Sequence, residues 1–122
     1  MIDKLPADVR LGYSLTGFVE RSLQLPQLLK SDLRVGDQVF VKTHNSLYVI
    51  RVVENGSYIV SGGWFDRKGL SPMKTTIAGC TWGGSVIKVD VVAACGLCLE
   101  FGNRLTTSAI RKVFVFRRGL EN

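Results

Sequence analysis

The chain has 122 residues, 46% of them hydrophobic and 21% charged, and it carries a formal net charge of +6. Such a chain is long enough to form a hydrophobic core without disulfides or metal, and its composition excludes a disordered protein. The longest apolar run, residues 91–99, is much shorter than the roughly 18 residues of a membrane-spanning helix. We therefore expect one soluble domain over residues 1–122, outside the membrane.

The N-terminal segment is interrupted by charges and lacks the apolar run of a secretion signal. We therefore expect a cytoplasmic protein whose three cysteines remain thiols, with no cofactor. The net charge permits an anionic partner, and residues 101–122 concentrate it, with five basic residues and one acidic residue. The charges that interrupt the N-terminal segment are those of Asp3, Lys4, Asp8 and Arg10.

Residues 1–34 differ in pattern from the rest of the chain. A helix is predicted over about 15–24, ended by Pro26 and followed by a short turn through residues 26–32. The sequence thus predicts an N-terminal helical or irregular segment, 1–34, packed on a β-barrel at 35–118. The residues at helical spacing are Leu15, Phe18, Val19 and Leu23.

The next segment alternates apolar and polar residues, as strands do. Runs at 38–43 and 47–53 are separated by a turn, and the pair Asn55-Gly56 precedes a third run that begins at Tyr58. Because Asn-Gly favours a tight hairpin turn, we predict a three-stranded meander. Residues 61–85, rich in Gly, Pro and Ser, predict a long loop with a short strand at 75–79.

The last third of the chain shows the longest alternation, which predicts one strand over 87–101. A turn at 101–104, a returning strand at 105–108 and a final strand at 110–117 follow. About seven short strands without intervening helices predict a small antiparallel β-barrel or sandwich. The alternating residues are Ile87, Val89, Val91, Ala93, Cys95, Leu97, Leu99 and Phe101.

Cys95 and Cys98 form a Cys-x-x-Cys motif, which in other contexts binds zinc or forms a redox pair. In the predicted strand Cys95 faces the core and Cys98 faces outward, so the two thiols do not share one metal ion. Adding Cys80 and His44 completes a set of four ligands, and this metal or thiol-redox site remains an alternative. We expect the cysteines to act as small apolar residues.

Hydrolytic chemistry has little support in the sequence. The only histidine, His44, lies at a predicted hairpin tip, and the acidic residues are scattered along the chain. No glycine-rich phosphate-binding motif is present. An enzyme is therefore the least supported class.

Both tryptophans adjoin glycine pairs and lie near basic residues, an arrangement that can stack on rings and hold phosphates. We expect this loop to bind a small polar or anionic ligand. The candidate ligand-binding residues are Trp64, Arg67, Lys68, Lys74 and Trp82. The alternative is a nucleic-acid-binding barrel that uses this loop and a basic C-terminal strand with Arg104, Arg111, Arg117 and Arg118.

Several strands are apolar on both faces, and a barrel interior covers only one face. Either the N-terminal segment or a second copy of the chain must cover the other. The expected function is therefore a non-catalytic binding or assembly module of unknown ligand that self-associates into a homo-oligomer. The apolar residues that need cover are Leu47, Val49, Val53, Val113 and Val115.

Overall fold

The computed structural model describes residues 23–54, 56–82 and 87–117, and this part of the chain is mostly antiparallel β-structure with one short α-helix. The predicted β class is confirmed. A 3₁₀ turn covers Lys30–Asp32. The elements are β1 (Leu23–Leu25), β2 (Gln27–Leu29), β3 (Gln38–Thr43), β4 (Leu47–Glu54), β5 (Ser57–Gly62), α1 (Gly63–Arg67), β6 (Met73–Thr75), β7 (Ile77–Thr81), β8 (Ile87–Lys88), β9 (Val91–Ala94), β10 (Cys98–Phe101) and β11 (Thr106–Phe116).

Nine strands form one sheet in the order β6-β5-β4-β3-β11-β10-β7-β8, with β1 also paired to β11. Strands β2 and β9 form a separate pair that packs beside β7, β10 and β11. Among the described residues β6 and β8 do not pair, so the sheets are antiparallel as predicted for a barrel or sandwich but no closed barrel is found. Both end strands are very short and offer few backbone groups for a closing ladder.

Strand β11 joins the two halves of the sheet. Its first half pairs with β10, and its second half pairs with β3 and β1. A shift of register between Ile110 and Lys112 marks a bulge at Arg111, and such a bulge bends a strand. The two predicted strands at 105–108 and 110–117 are therefore one bent strand.

The meander of β3, β4 and β5 confirms the prediction from alternation. Val39, Val41, Ile50 and Val60 all face one core and are fully buried. An aromatic group closes this core, since the rings of Phe65 and Phe101 lie 5.2 Å apart at near-perpendicular planes. Alternation places every second side chain on the same face, which explains the continuous inner layer.

A second apolar cluster lies on the outer face of the same strands. Phe40, Val49 and Phe116 are buried there, with Leu47 and Phe114 packed against them. Leu47 and Val49 therefore lie on the outer face of β4 as predicted, whereas Val53 lies at a shift of register and belongs to neither cluster. The prediction was wrong for β11, because the bulge turns Val113 and Val115 into the main core and directs the phenylalanines outward.

The predicted single strand over 87–101 is wrong. It consists of β8, β9 and β10, separated by turns at 89–90 and 95–97. Gly96 has φ of 91° and the Leu97 N–H donates to the Ala94 carbonyl over 3.1 Å, so the chain reverses direction. As a result Cys95 is exposed at the turn and Cys98 is half-buried, which reverses the expected faces.

The predicted helix over 15–24 lies almost entirely outside the described residues, and its described end belongs to β1. The short turn after Pro26 is confirmed in part by the 3₁₀ turn. The predicted long loop at 61–85 instead contains α1, β6 and β7, of which β7 overlaps the predicted short strand. In the described part of the chain, no helix combines the length and the apolarity required to cross a bilayer.

Candidate functional site

A surface depression of about 570 Å³ lies where four parts of the chain meet. The end of β7, strand β8, the turn after β9 and the beginning of β2 surround it. Its lining combines an indole ring, an ammonium group, a thiol and several small apolar groups. The residues that line it are Pro26, Gln27, Trp82, Lys88, Ala94, Cys95, Gly96 and Leu97.

Trp82 is the most exposed large hydrophobic residue of the described chain, with 69% of its surface accessible. It directly follows β7, whereas Lys88 lies on the neighbouring strand β8 opposite Cys80. An exposed indole offers a face for stacking on a planar ring, and an ammonium attracts negative charge. The depression therefore offers both interactions to one ligand.

Gly79 allows β8 to lie close to β7. Its φ is 143°, and a Cβ atom at this position would overlap the backbone carbonyl of Lys88. Only glycine provides this space together with this backbone conformation. The position of Lys88 beside the depression therefore depends on a specific glycine of β7.

The wall formed by residues 94–97 is held by backbone hydrogen bonds. The Cys95 N–H donates to the Pro26 carbonyl over 2.9 Å, and the Gly96 N–H donates to the Ile110 carbonyl over 2.8 Å. The turn is thus hydrogen-bonded to the residue before β2 and to β11. A wall fixed in this way loses little conformational freedom when a ligand binds.

The three cysteines occupy different environments. The exposed Cys95 thiol donates to the Arg111 carbonyl over 3.4 Å, and the buried Cys80 thiol donates to the Val92 carbonyl over 3.5 Å. Burial raises the pKa of Cys80 to about 11, so it remains a neutral thiol at physiological pH. Cys95 alone lines the depression.

A group of basic residues lies beside the depression, across β11. The Arg111 guanidinium lies 3.2 Å from His44 Nδ1, and because a guanidinium only donates, this nitrogen accepts. Lys112 lies directly opposite Lys42 in the β11–β3 ladder, and both side chains are exposed. We call Lys42, His44, Arg111 and Lys112 the basic ridge.

The predicted ligand-binding residues lie in two places. Trp82 lines the depression, whereas Trp64 belongs to α1, where its ring meets Phe65 at 5.3 Å and packs half-buried on the core. Lys68 is exposed at the end of α1. The structure therefore separates the two tryptophans that the sequence grouped together.

The other two basic residues of that predicted loop have partners. Arg67 donates to the Ser46 hydroxyl over 3.3 Å. Lys74 forms an ion pair with Glu54 at 2.7 Å, and this ammonium lowers the pKa of the Glu54 carboxyl. Neither residue lines the depression.

The predicted C-terminal arginines are also dispersed. Arg104 lies in the turn before β11, with φ of 70°, and Arg111 belongs to the basic ridge. Arg117 pairs with the buried Asp37 at 3.0 Å, which gives it a structural role. Arg118 lies outside the described residues.

The described residues contain no group of three or more His, Cys, Asp or Glu side chains placed to hold a metal ion. His44 contacts Arg111, and Cys80 and Cys95 differ in burial, so the alternative set of four ligands is not assembled. Sequence reasoning missed Lys42 and Lys88 as site residues. The pairing of distant strands, which has no local signature, is what brings them near the site.

Comparisons with protein families, curated proteins and solved structures found no match to this chain. The site chemistry is therefore the basis for inferring function.

Proposed function

We propose that this protein is a non-catalytic binding module whose ligand combines a planar ring with negative charge. The ligand occupies the depression beside Trp82. The observation that carries the proposal is the exposed indole of Trp82, 69% accessible, which lines the same depression as the exposed side chain of Lys88. Stacking on the indole and attraction to the ammonium act on two parts of one ligand.

The surroundings of the depression support this proposal. The net charge of +6 attracts anions, and the hydrogen-bonded turn at 94–97 presents a fixed wall. Small residues in that wall, Ala94 and Gly96, leave space for a ring. A site with an aromatic surface and a few polar groups is typical of small-molecule binding.

The side chains near the depression support binding rather than catalysis. Nucleophilic catalysis needs a base within hydrogen-bond reach of the nucleophile. The Cys95 thiol instead donates to a backbone carbonyl, and His44, the only histidine of the chain, contacts Arg111. We therefore assign the Cys95 thiol and His44 to binding and to the packing of the turn, and not to catalysis.

Adenosine monophosphate is a suitable probe, because it carries both a planar ring and a phosphate. Binding is expected to change tryptophan fluorescence and to protect Cys95 from a thiol reagent, since both residues line the depression. Trp82→Ala should abolish both effects, whereas Trp64→Phe, in the aromatic core, should preserve Cys95 protection. Adenosine or inorganic phosphate alone should bind more weakly. If adenosine monophosphate still protects Cys95 in both variants, the proposal is contradicted.

Self-association is a second candidate, and one observation favours it. Among the described residues β8 is an end strand of the sheet, and the apolar side chains of Ile87 in β8 and of Val89 directly after it are 41% and 56% exposed. An exposed apolar edge can pair with a second copy of the chain. Native mass spectrometry should then show a dimer that Val89→Lys dissociates, and a monomer at micromolar concentration would exclude it.

A further inference from the structure

We infer that the ligand is single-stranded nucleic acid, which stacks a base on Trp82 and continues across β11 to the basic ridge. This inference rests on the proposed function and names its ligand class. It uses residues of β3, β8 and β11 that the sequence pattern did not group. Three observations carry it: the geometry that joins the two regions, the charge of the ridge and the exposure of the indole.

Strand pairing gives the separation between the depression and the ridge. Thr81, next to Trp82, lies opposite Cys98, and Cys98 lies opposite Ala109. The Ala109 carbonyl then accepts the backbone N–H of His44 over 2.8 Å. Three interstrand steps of ~4.8 Å make a path of about 14 Å. A stacked strand covers that length with about four nucleotides, at ~3.4 Å each.

The charge along this path is positive. Lys42 and Lys112 lie directly opposite each other, an arrangement that is unfavourable unless an anion lies near both. The bulge adds Arg111 beside them. Within the described chain, the ion pairs use Lys74 and Arg117 and none of the ridge residues. A phosphate backbone would offset the repulsion at the ridge.

The exposed indole favours a single strand over a duplex. Base faces are accessible for stacking in a single strand, whereas a duplex hides them between neighbouring pairs. Single-strand-binding proteins combine such stacking platforms with a positively charged path for the backbone. Trp82 supplies the stacking platform, and Lys88 and the basic ridge supply the positive charge.

The test is fluorescence anisotropy of a labelled oligothymidylate of about 12 nucleotides, within the usual site sizes of such proteins. We expect binding at about 50 mM salt, with a log–log salt slope near −3 if four cations contact phosphates at ~0.7 each. Trp82→Ala should weaken binding about 5-fold to 150-fold, the loss expected for one stacked base. Lys42→Ala with Lys112→Ala should reduce the slope by about 1.4.

Matched controls are Lys68→Ala and Lys74→Ala, which remove exposed lysines outside the path. Each control variant should keep the salt slope and the affinity of the unchanged protein, in contrast to the ridge variants. A duplex of the same length should bind more weakly than the single strand. Equal losses in the controls, or equal binding to the duplex, would overturn the inference and indicate unspecific attraction.

The outcomes also separate this inference from the proposed function. If adenosine monophosphate protects Cys95 but the oligonucleotide binds without any effect of the ridge variants, the single-strand inference fails and the binding module stands. If neither compound protects Cys95, both fail. Oligonucleotide binding that depends on Trp82 and on the ridge supports both.

Discussion

The guanidinium of Arg117 lies 3.0 Å from the carboxylate of Asp37, whose side chain is only 3% exposed. The same carboxylate accepts the backbone N–H of Arg34 over 2.9 Å, and Arg117 also donates to the carbonyl of Asp32. The end of β11 is thereby attached to the turn that precedes β3. This arginine, predicted as a nucleic-acid contact, forms an ion pair within the fold.

Arg117→Ala should therefore lower the free energy of unfolding by about 1 to 3 kcal/mol, because a buried acceptor loses a charged partner. Urea denaturation followed by circular dichroism measures this loss. Arg104→Ala removes an exposed arginine from a turn and should change stability by less than about 0.5 kcal/mol. Equal stability of the two variants would show that the pair contributes nothing.

The thiols should react in an order set by their exposure. Cys95 is exposed at the turn, Cys98 is half-buried and Cys80 is buried. A thiol reagent applied to the folded protein should therefore label Cys95 first and Cys80 only on unfolding. Mass spectrometry of digested protein identifies the labelled residue. Labelling of Cys98 before Cys95 would restore the faces predicted from alternation and contradict the observed turn.

Alternation predicted the meander of β3 to β5 because pattern, strand length and glycine turns agree there. The same pattern failed over residues 87–101, because its apolar residues belong to an exposed strand, β8, a fully buried strand, β9, and a third strand, β10, that alternates. Gly96 was the available signal, since a glycine inside a strand pattern often marks a turn or bulge. Its positive φ places Cys95 outside the core.

The candidate site was less predictable than the fold. Trp64 and Trp82 have similar neighbours in the sequence, and only the structure shows that Trp64 packs half-buried against Phe65 whereas Trp82 is exposed. The approach of Arg111 to the depression depends on the pairing of β10 with β11. Such contacts between distant segments leave no periodic signal.

The buried thiol of Cys80 should make the fold sensitive to alkaline pH. Its pKa is raised from 9.0 to about 11, so the unfolded chain loses this proton before the folded chain does. Stability should be complete below pH 9 and decrease as pH rises toward 11, by roughly 2 kcal/mol in total. Urea titrations across this range measure the decrease.

Cys80→Ala is the control for this pH dependence. The variant should be less stable at neutral pH but should lose less stability between pH 9 and 11. Burial also raises the pKa of Tyr58, a contribution that both proteins share. An identical alkaline decrease in both proteins would assign the effect to groups other than the thiol.

The hydroxyl of Thr81 is buried and finds no hydrogen-bond partner among the described residues. A buried donor without a partner costs about 1 to 3 kcal/mol. Thr81→Val keeps the shape and removes the hydroxyl, so it should raise the free energy of unfolding by about 1 kcal/mol. The hydroxyl of Thr107 accepts the Leu99 N–H over 3.1 Å, so Thr107→Val should instead lower the free energy of unfolding. A loss of stability in Thr81→Val would reveal a partner for this hydroxyl, such as a bound water.

Gly79→Ala should damage both the fold and the site. The added Cβ would overlap the carbonyl of Lys88, and the φ of 143° is unfavourable for any other residue, so β8 must move away from β7. Gly69→Ala, with φ of 68° but open space around the Cβ position, is the matched control and should cost only about 1 to 2 kcal/mol of backbone strain. We expect Gly79→Ala to unfold at a lower urea concentration than the control. In the folded variant, adenosine monophosphate should no longer protect Cys95, because Lys88 no longer lines the depression. Unchanged protection in a folded Gly79→Ala protein would show that the position of Lys88 is irrelevant to ligand binding.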